Sequence, residues 1–183
     1  SGKQRMGKYF HNRRMELFHR LPVVISDLLR RIRRDGATLL DVGCWDGEFT
    51  VAYARAVGAE LSAAHGLDFF PALLETAAQR GVQAGQIDLE NQKFPFPDEY
   101  FDVVVCNQVL EHLKQIYLPL SEIHRVLKVG GHAVISVPNL AALHNRLLLL
   151  AGRQPATIRI MGPHVRGYAY HCFTEFLLHN QLF

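Results

Sequence analysis

Between Ala37 and Val137, short apolar runs bounded by glycine or proline take turns with longer stretches whose apolar residues recur at helical spacing. The runs Ala37 to Val42, Ala63 to Leu67, Val82 to Ile87, Phe101 to Cys106 and His132 to Val137 read as strands. Helices are expected near Glu48 to Val57, over Pro71 to Arg80, and in a stretch ending near Lys128, before a Gly130-Gly131 turn. A strand that is apolar along its whole length must be covered on both faces. Five such strands alternating with helices therefore predict an α/β fold, a doubly wound and mainly parallel sheet. With 183 residues, 49% of them hydrophobic, the chain has material for one such domain.

The flanks add less. From Arg13 to Arg34, Leu17, Leu21, Val24, Leu28, Leu29 and Ile32 predict a leading helix packed on the domain, with Pro22 as a kink or a start. Its arginines read as a solvated face. After Pro138 come an apolar helix, Leu140 to Ala151, an irregular stretch, and a last helix near Thr174 to Asn180. The run Leu147 to Leu150 is far shorter than the roughly 20 residues a bilayer needs, so no integral membrane association is expected. Cys44, Cys106 and Cys172 form no Cys-x-x-Cys pair and no apolar signal segment opens the chain, which makes a reducing, cytoplasmic setting the default.

The chemistry concentrates in Leu39-Leu40-Asp41-Val42-Gly43-Cys44-Trp45-Asp46-Gly47-Glu48-Phe49, a strand that runs through a glycine-bearing turn into a helix. Glycine lets the backbone approach a ligand, and the helix start offers free amides to a carboxylate or phosphate. Asp41 at the strand end would repel a pyrophosphate. It can instead accept hydrogen bonds from an amino group, directly or through water, which suits the methionyl end of S-adenosylmethionine. The glycine spacing matches neither Gly-x-Gly-x-x-Gly nor a P-loop. About 20 residues on, Gly66-Leu67-Asp68 places a carboxylate for ribose hydroxyls. Asp88 ends the third strand, suited to an adenine amino group with Leu89 against the ring.

Together with Phe-Asp-Val-Val-Val-Cys-Asn-Gln-Val-Leu-Glu-His-Leu from Phe101 to Leu113, these motifs resemble the class I S-adenosylmethionine-dependent methyltransferases over roughly Ala37 to Asn139. The likeness is closest to the small-molecule group acting on quinones, sterols, lipids and sugars. It implies a Rossmann-like sheet of order 3-2-1-4-5, with residues 37–139 as cofactor-binding core and 140–183 as a variable substrate-side segment of a single domain over 13–183. Residues 1–12 are set aside as an arm whose Ser1-Gly2 reads as a cloning remnant. Carried over by position, Asp41, Gly43, Cys44, Trp45, Asp46 and Gly47 would line the methionyl end, Asp68 and Phe69 the ribose, Asp88 and Leu89 the adenine, and Asn107, Gln108 and Val109 the sulfonium side. Trp45 stands where the family usually has a third glycine, so its indole must point away from the cofactor or cover it. The family's sixth and seventh strands have no counterpart before Phe183, which predicts a longer native chain.

The implied reaction is in-line methyl transfer to a small-molecule or lipid-like acceptor, producing S-adenosylhomocysteine. Alignment and water exclusion are the protein's main share, and a base is needed only if the nucleophile must lose a proton early. His112 is the candidate base, with His164 and His171 comparable, and no metal site is expected because the ten histidines lack paired spacing. Asn107-Gln108-Val109-Leu110 is no Asn/Asp-Pro-Pro-aromatic clamp, so nucleic acid is not expected as substrate. A homodimer is left open. A looser likeness of Val137 to Phe173 to the methionine-biosynthesis W family implies an alternative, a noncatalytic S-adenosylmethionine-binding accessory protein partnering an acyltransferase.

Overall fold

The structure, a computed structural model, describes residues 22–158 and 162–180. A helix over residues 22–31, α1, precedes β1 (Leu39–Val42). There follow α2 (Glu48–Val57), β2 (Ala64–Asp68), α3 (Pro71–Gln79), β3 (Gln83–Gln86), β4 (Phe101–Asn107), α4 (Tyr117–Val126), β5 (Leu127–Ser136), α5 (Leu143–Leu150) and α6 (Tyr170–His179). The five strands form one sheet in the order β3-β2-β1-β4-β5, every neighbouring pair parallel, as the alternation and the resemblance implied.

Successive strand residues point to opposite faces, and both faces here are apolar. Leu40, Val42, Val104 and Cys106 join Leu110, Leu120 and Ile123 in one core. Leu39, Val103 and Val105 join Ile25 and Leu29 of α1 and Tyr53, Ala54 and Val57 of α2 in the other. The expected leading-helix stripe holds in part: Leu29 is buried and Ile32 packs on this core, but Ile25 is buried in place of Val24 and Leu28, which are 56% and 44% exposed. The stripe that meets Leu39 and Val57 decides the matter, not the count of apolar residues. The part of that expectation carried by Leu17 and Leu21 lies outside the described residues.

Other boundaries move for identifiable reasons. The Gly130-Gly131 pair is no turn before β5 but a bulge within it, since the pairing jumps from Phe101↔Leu127 to Val103↔His132. Helix α5 is shorter than expected, and α6 begins a turn earlier. Asp102, read as a strand-start residue without a catalytic role, ties three strands together. Its carboxylate accepts from Thr38 N–H (2.9 Å), the Thr38 hydroxyl (2.8 Å) and Lys128 Nζ (2.9 Å). Among the described residues no helix is long and apolar enough to cross a membrane. The crossovers run outward in both directions from β1 and β4, leaving a crevice at their carboxyl ends, the place where ligands bind in such sheets.

Candidate active site

The turn after β1 is built by tight backbone geometry. Gly43 has φ +79°, and a Cβ there would come 2.3 Å from Cγ2 of Val109, which follows β4 and closes over the turn. Its amide donates to Leu67 O at 2.7 Å, joining the turn to β2. Gly47, the residue before α2, also has positive φ, but its missing Cβ makes room for Ala77 of α3, 2.8 Å away. The two glycines therefore have different duties: Gly43 lets β4's loop approach, and Gly47 lets two helices pack.

Trp45 takes φ +52°, a left-handed conformation that costs a bulky residue about 1–2 kcal/mol. Its indole is 58% exposed and edge-on to Phe70, 6.1 Å between ring centres, so it stands on the rim of the site beside Phe69 and Phe70. Its amide donates to Asp68 Oδ2 at 2.9 Å, while Asp68 Oδ1 accepts from the amides of Phe69 (2.7 Å) and Phe70 (3.2 Å). Three backbone donors thus fix a nearly buried carboxylate at the end of β2, next to the glycine turn.

Asp41 is buried and accepts from the Thr50 hydroxyl at 2.6 Å. Burial pushes its pKa up to about 7; the Thr50 bond opposes the shift, and Asp68 nearby adds to it. Cys44 turns its side chain inward: a Cβ on Gly66 would meet its Sγ at 2.7 Å, and burial raises the thiol pKa far above its ordinary range. Asp46 bonds within its own surroundings, to the Glu48 amide (3.2 Å) and to Arg80 (3.0 Å). Asp88 holds the loop after β3 through Asn91 Nδ2 (2.9 Å) and the Glu90 amide (3.0 Å), bonds that lower its pKa. Leu89 lies in the core, 8% exposed.

At the end of β4, Asn107 accepts from the Ser136 hydroxyl (2.5 Å) and donates to Tyr53 Oη (3.2 Å). Gln108, at φ +57°, reaches Ser136 Oγ with its side chain, 3.3 Å away. Two residues further, Leu110–His112 forms a short 3-10 turn. His112 donates Nδ1–H to Pro163 O (3.3 Å) and stacks edge-on with His164, 4.8 Å between ring centres. Partial burial lowers its pKa, the Pro163 bond opposes this, and His164 adds to it. Beside it Glu111 is 1% exposed, and burial raises its pKa to about 7. His171 lies exposed near the start of α6.

The structure therefore brings the glycine turn, Asp41, Asp68, Trp45, Phe69 and the Asn107 to Val109 segment to one end of the sheet, and turns Cys44 and Leu89 inward. Sequence reasoning missed Thr50, Tyr53, Ser136 and the buried Glu111. Only Glu111 carried a sequence signal, its place in the Leu-Glu-His motif. A cleft of about 1100 Å³ lies elsewhere, along β5 and α6, and shares Ser136 with this end of the sheet.

Known proteins share the family and the fold. Residues 40–135 match the methyltransferase domain family. The chain is 39% identical over 102 residues to a demethylmenaquinone methyltransferase of Bacillus licheniformis, covering 54% of this chain and 44% of that protein. A ubiquinone biosynthesis O-methyltransferase of Xylella fastidiosa is 32% identical over 126 residues, 64% of this chain and 48% of that one. The chain thus spans about half the length of the curated relatives it matches. Among solved structures, the YcgJ protein of Bacillus subtilis superposes with a TM-score of 0.64 at 22% identity, over 86% of this chain and 67% of its own, a likeness of fold.

Proposed function

The chain belongs to the methyltransferase domain family, and from that premise we propose that it transfers a methyl group from S-adenosylmethionine to a small, lipid-like acceptor of the quinone type. The acceptor class rests on the demethylmenaquinone and ubiquinone methyltransferases it resembles. The cofactor reading rests above all on Asp68, a carboxylate held at the end of β2 by three amides, one of them from the glycine turn itself.

The donor set fits this cofactor. Asp68 Oδ1 accepts two amides, whereas Oδ2 accepts one and keeps a lone pair for a ribose hydroxyl. Trp45, Phe69 and Phe70 offer exposed ring surface beside it. Asp41 is a buried acid whose ionised form gains from a nearby positive charge, and a sulfonium or ammonium would provide one. When bound, S-adenosylmethionine supplies an electrophilic methyl group. The chain's own part is orientation and exclusion of water. Val109 packs on Gly43 and fixes the path of the β4 loop, and the Asn107–Ser136–Tyr53 bonds hold that loop's origin. The rim aromatics shield the turn from solvent. His112, its Nδ1 proton on Pro163 O, keeps Nε2 for the acceptor side.

Calorimetric titration with S-adenosylmethionine and S-adenosylhomocysteine tests the reading, with Asp68→Ala as control and thermal melting to confirm folding. Micromolar binding that the substitution abolishes is expected. A folded chain that binds neither compound refutes the cofactor site, for the catalytic and the accessory reading alike.

A further inference from the structure

Glu111 and His112, on the turn after β4, meet His164, although the two histidines lie far apart in sequence. One ligand-type atom from each, a carboxylate oxygen or an imidazole nitrogen, lies within 4.8 Å of the others. Three features distinguish the group from a chance meeting of polar side chains. The Glu111 carboxylate is 1% exposed, and neither of its oxygens has a hydrogen-bond partner among the described residues. A buried carboxylate without a partner is unfavourable in its charged form, and a bound cation would supply the missing partner.

The histidines, in turn, are each held by one nitrogen. His112 donates Nδ1–H to Pro163 O at 3.3 Å, and His164 donates Nδ1–H to Thr157 O at 2.7 Å. A carbonyl can only accept, so both rings carry their proton on Nδ1 and present the Nε2 lone pair. Metal-ligating histidines are typically held in this way, by a carbonyl that fixes tautomer and ring orientation. Finally, the backbone braces the meeting point: Val165 and Arg166 amides both donate to Glu111 O, which pins the His164 segment against the Leu110–His112 turn.

We propose that Glu111, His112 and His164 form a binding site for one divalent transition-metal ion, held by a carboxylate oxygen and two Nε2 atoms with a position left open. Two imidazoles and one carboxylate suit zinc or ferrous iron and disfavour magnesium, which prefers oxygen ligands. Ligand atoms of a tetrahedral ion with bonds of about 2.0–2.1 Å stand roughly 3.4 Å apart, so the three side chains would have to draw together from their present separations of up to 4.8 Å. The turn that carries Glu111 and His112 follows directly on Val109, which closes on Gly43. There, on the methyl-transfer reading, the ion would bind an acceptor hydroxyl and lower its pKa so that its proton passes to water, with His112, its Nε2 on the ion, acting as ligand and not as base. The metal site itself does not depend on that reading.

The experiment is titration of the chelator-treated full chain with Zn²⁺ against a chromophoric chelator, and with Co²⁺ followed by its visible d–d bands. One ion per chain is expected, with no comparable response to Mg²⁺. Glu111→Gln and His164→Ala should each weaken Zn²⁺ binding by about 100-fold or more, since loss of an outer-shell partner alone costs 10–100-fold. His171→Ala, an exposed histidine outside the cluster, should leave it unchanged. Asp68→Ala should abolish S-adenosylmethionine binding yet keep Zn²⁺ binding, which separates a failure here from a failure of the methyltransferase reading. No stoichiometric ion, or binding equally tight in the His164→Ala chain, overturns the proposal. His164 lies in a part-exposed segment, so its variant serves even if Glu111→Gln fails to fold.

Discussion

Replacing Asp41 by Asn isolates the cost of holding an acid inside the sheet. In the native chain the carboxyl titrates at about 7 instead of 3.8, chiefly because it is buried. Below about pH 4 it is protonated in both folded and unfolded chains and carries no penalty. Between about 4 and 7 the unfolded chain releases the proton while the folded chain keeps it, so stability falls as pH rises. Above 7 both forms are ionised and the penalty is constant. At about 1.4 kcal/mol per pH unit, a shift of some three units amounts to about 4 kcal/mol, a large share of a typical domain's 5–15 kcal/mol. Asparagine has the shape of the protonated acid, its Oδ1 can still accept from the Thr50 hydroxyl, and it does not ionise. Urea denaturation of both chains from pH 4 to pH 8 should therefore show equal stability at the acid end and the variant ahead by about 4 kcal/mol at pH 8. In the same variant, S-adenosylmethionine should bind more weakly at pH 8, because the anion that favours a positive ligand is gone. A stability difference that stays flat across this range, or a native chain that is the more stable at pH 8, refutes the assignment of a buried, strained acid at this position.

Two further substitutions probe the frame around the site. Gly43→Ala forces a Cβ to 2.3 Å from Val109 Cγ2 at a positive φ; the loss should be roughly 2–5 kcal/mol by denaturant unfolding, and adding Val109→Ala should recover the steric part but not the backbone part. Asp102 titrates near 2 because its bonds to Thr38 and Lys128 outweigh the opposing effect of burial. Asp102→Asn should thus cost about 2 kcal/mol at pH 7, and the gap should close as pH falls from about 4 through 2, which acid unfolding curves of the two chains would show.

What the sequence made legible is what one segment decides for itself. An apolar run between helical stretches reads as a strand, so all five strands and the place of Asp41 and Asp68 near strand ends could be read directly, although β3 and β5 are only partly buried. The α1 face could not, because two neighbouring stripes of that helix are apolar and only Leu39 and Val57 select between them. Nor could the β5 bulge, since Gly130-Gly131 fits a turn as well as it fits an irregular strand, and the register with β4 decides. The family pattern placed Cys44 and Leu89 near the cofactor by counting along the chain, but a residue's place in a motif does not fix which side of the backbone its side chain takes, and both point inward.

The same reasoning explains why the proposed metal site has no signature in the sequence. Ligand spacing in a sequence reveals a site only when its residues sit on one helix or hairpin. Here the carboxylate and one imidazole are adjacent, while the second imidazole arrives from the segment after α5, carried in by Val165 and Arg166 amides bonding to Glu111 O. The two carbonyls that orient the rings, Thr157 O and Pro163 O, come from that late segment as well. On the proposed reading, the core of this sheet supplies the cofactor-facing residues, whereas the late segment completes the groups facing the acceptor. Exchanging residues 152–169 for the corresponding segment of a relative should therefore alter metal binding and acceptor choice while leaving affinity for S-adenosylmethionine nearly unchanged, and a parallel loss of both affinities would show that the two halves of the site are not separable in this way.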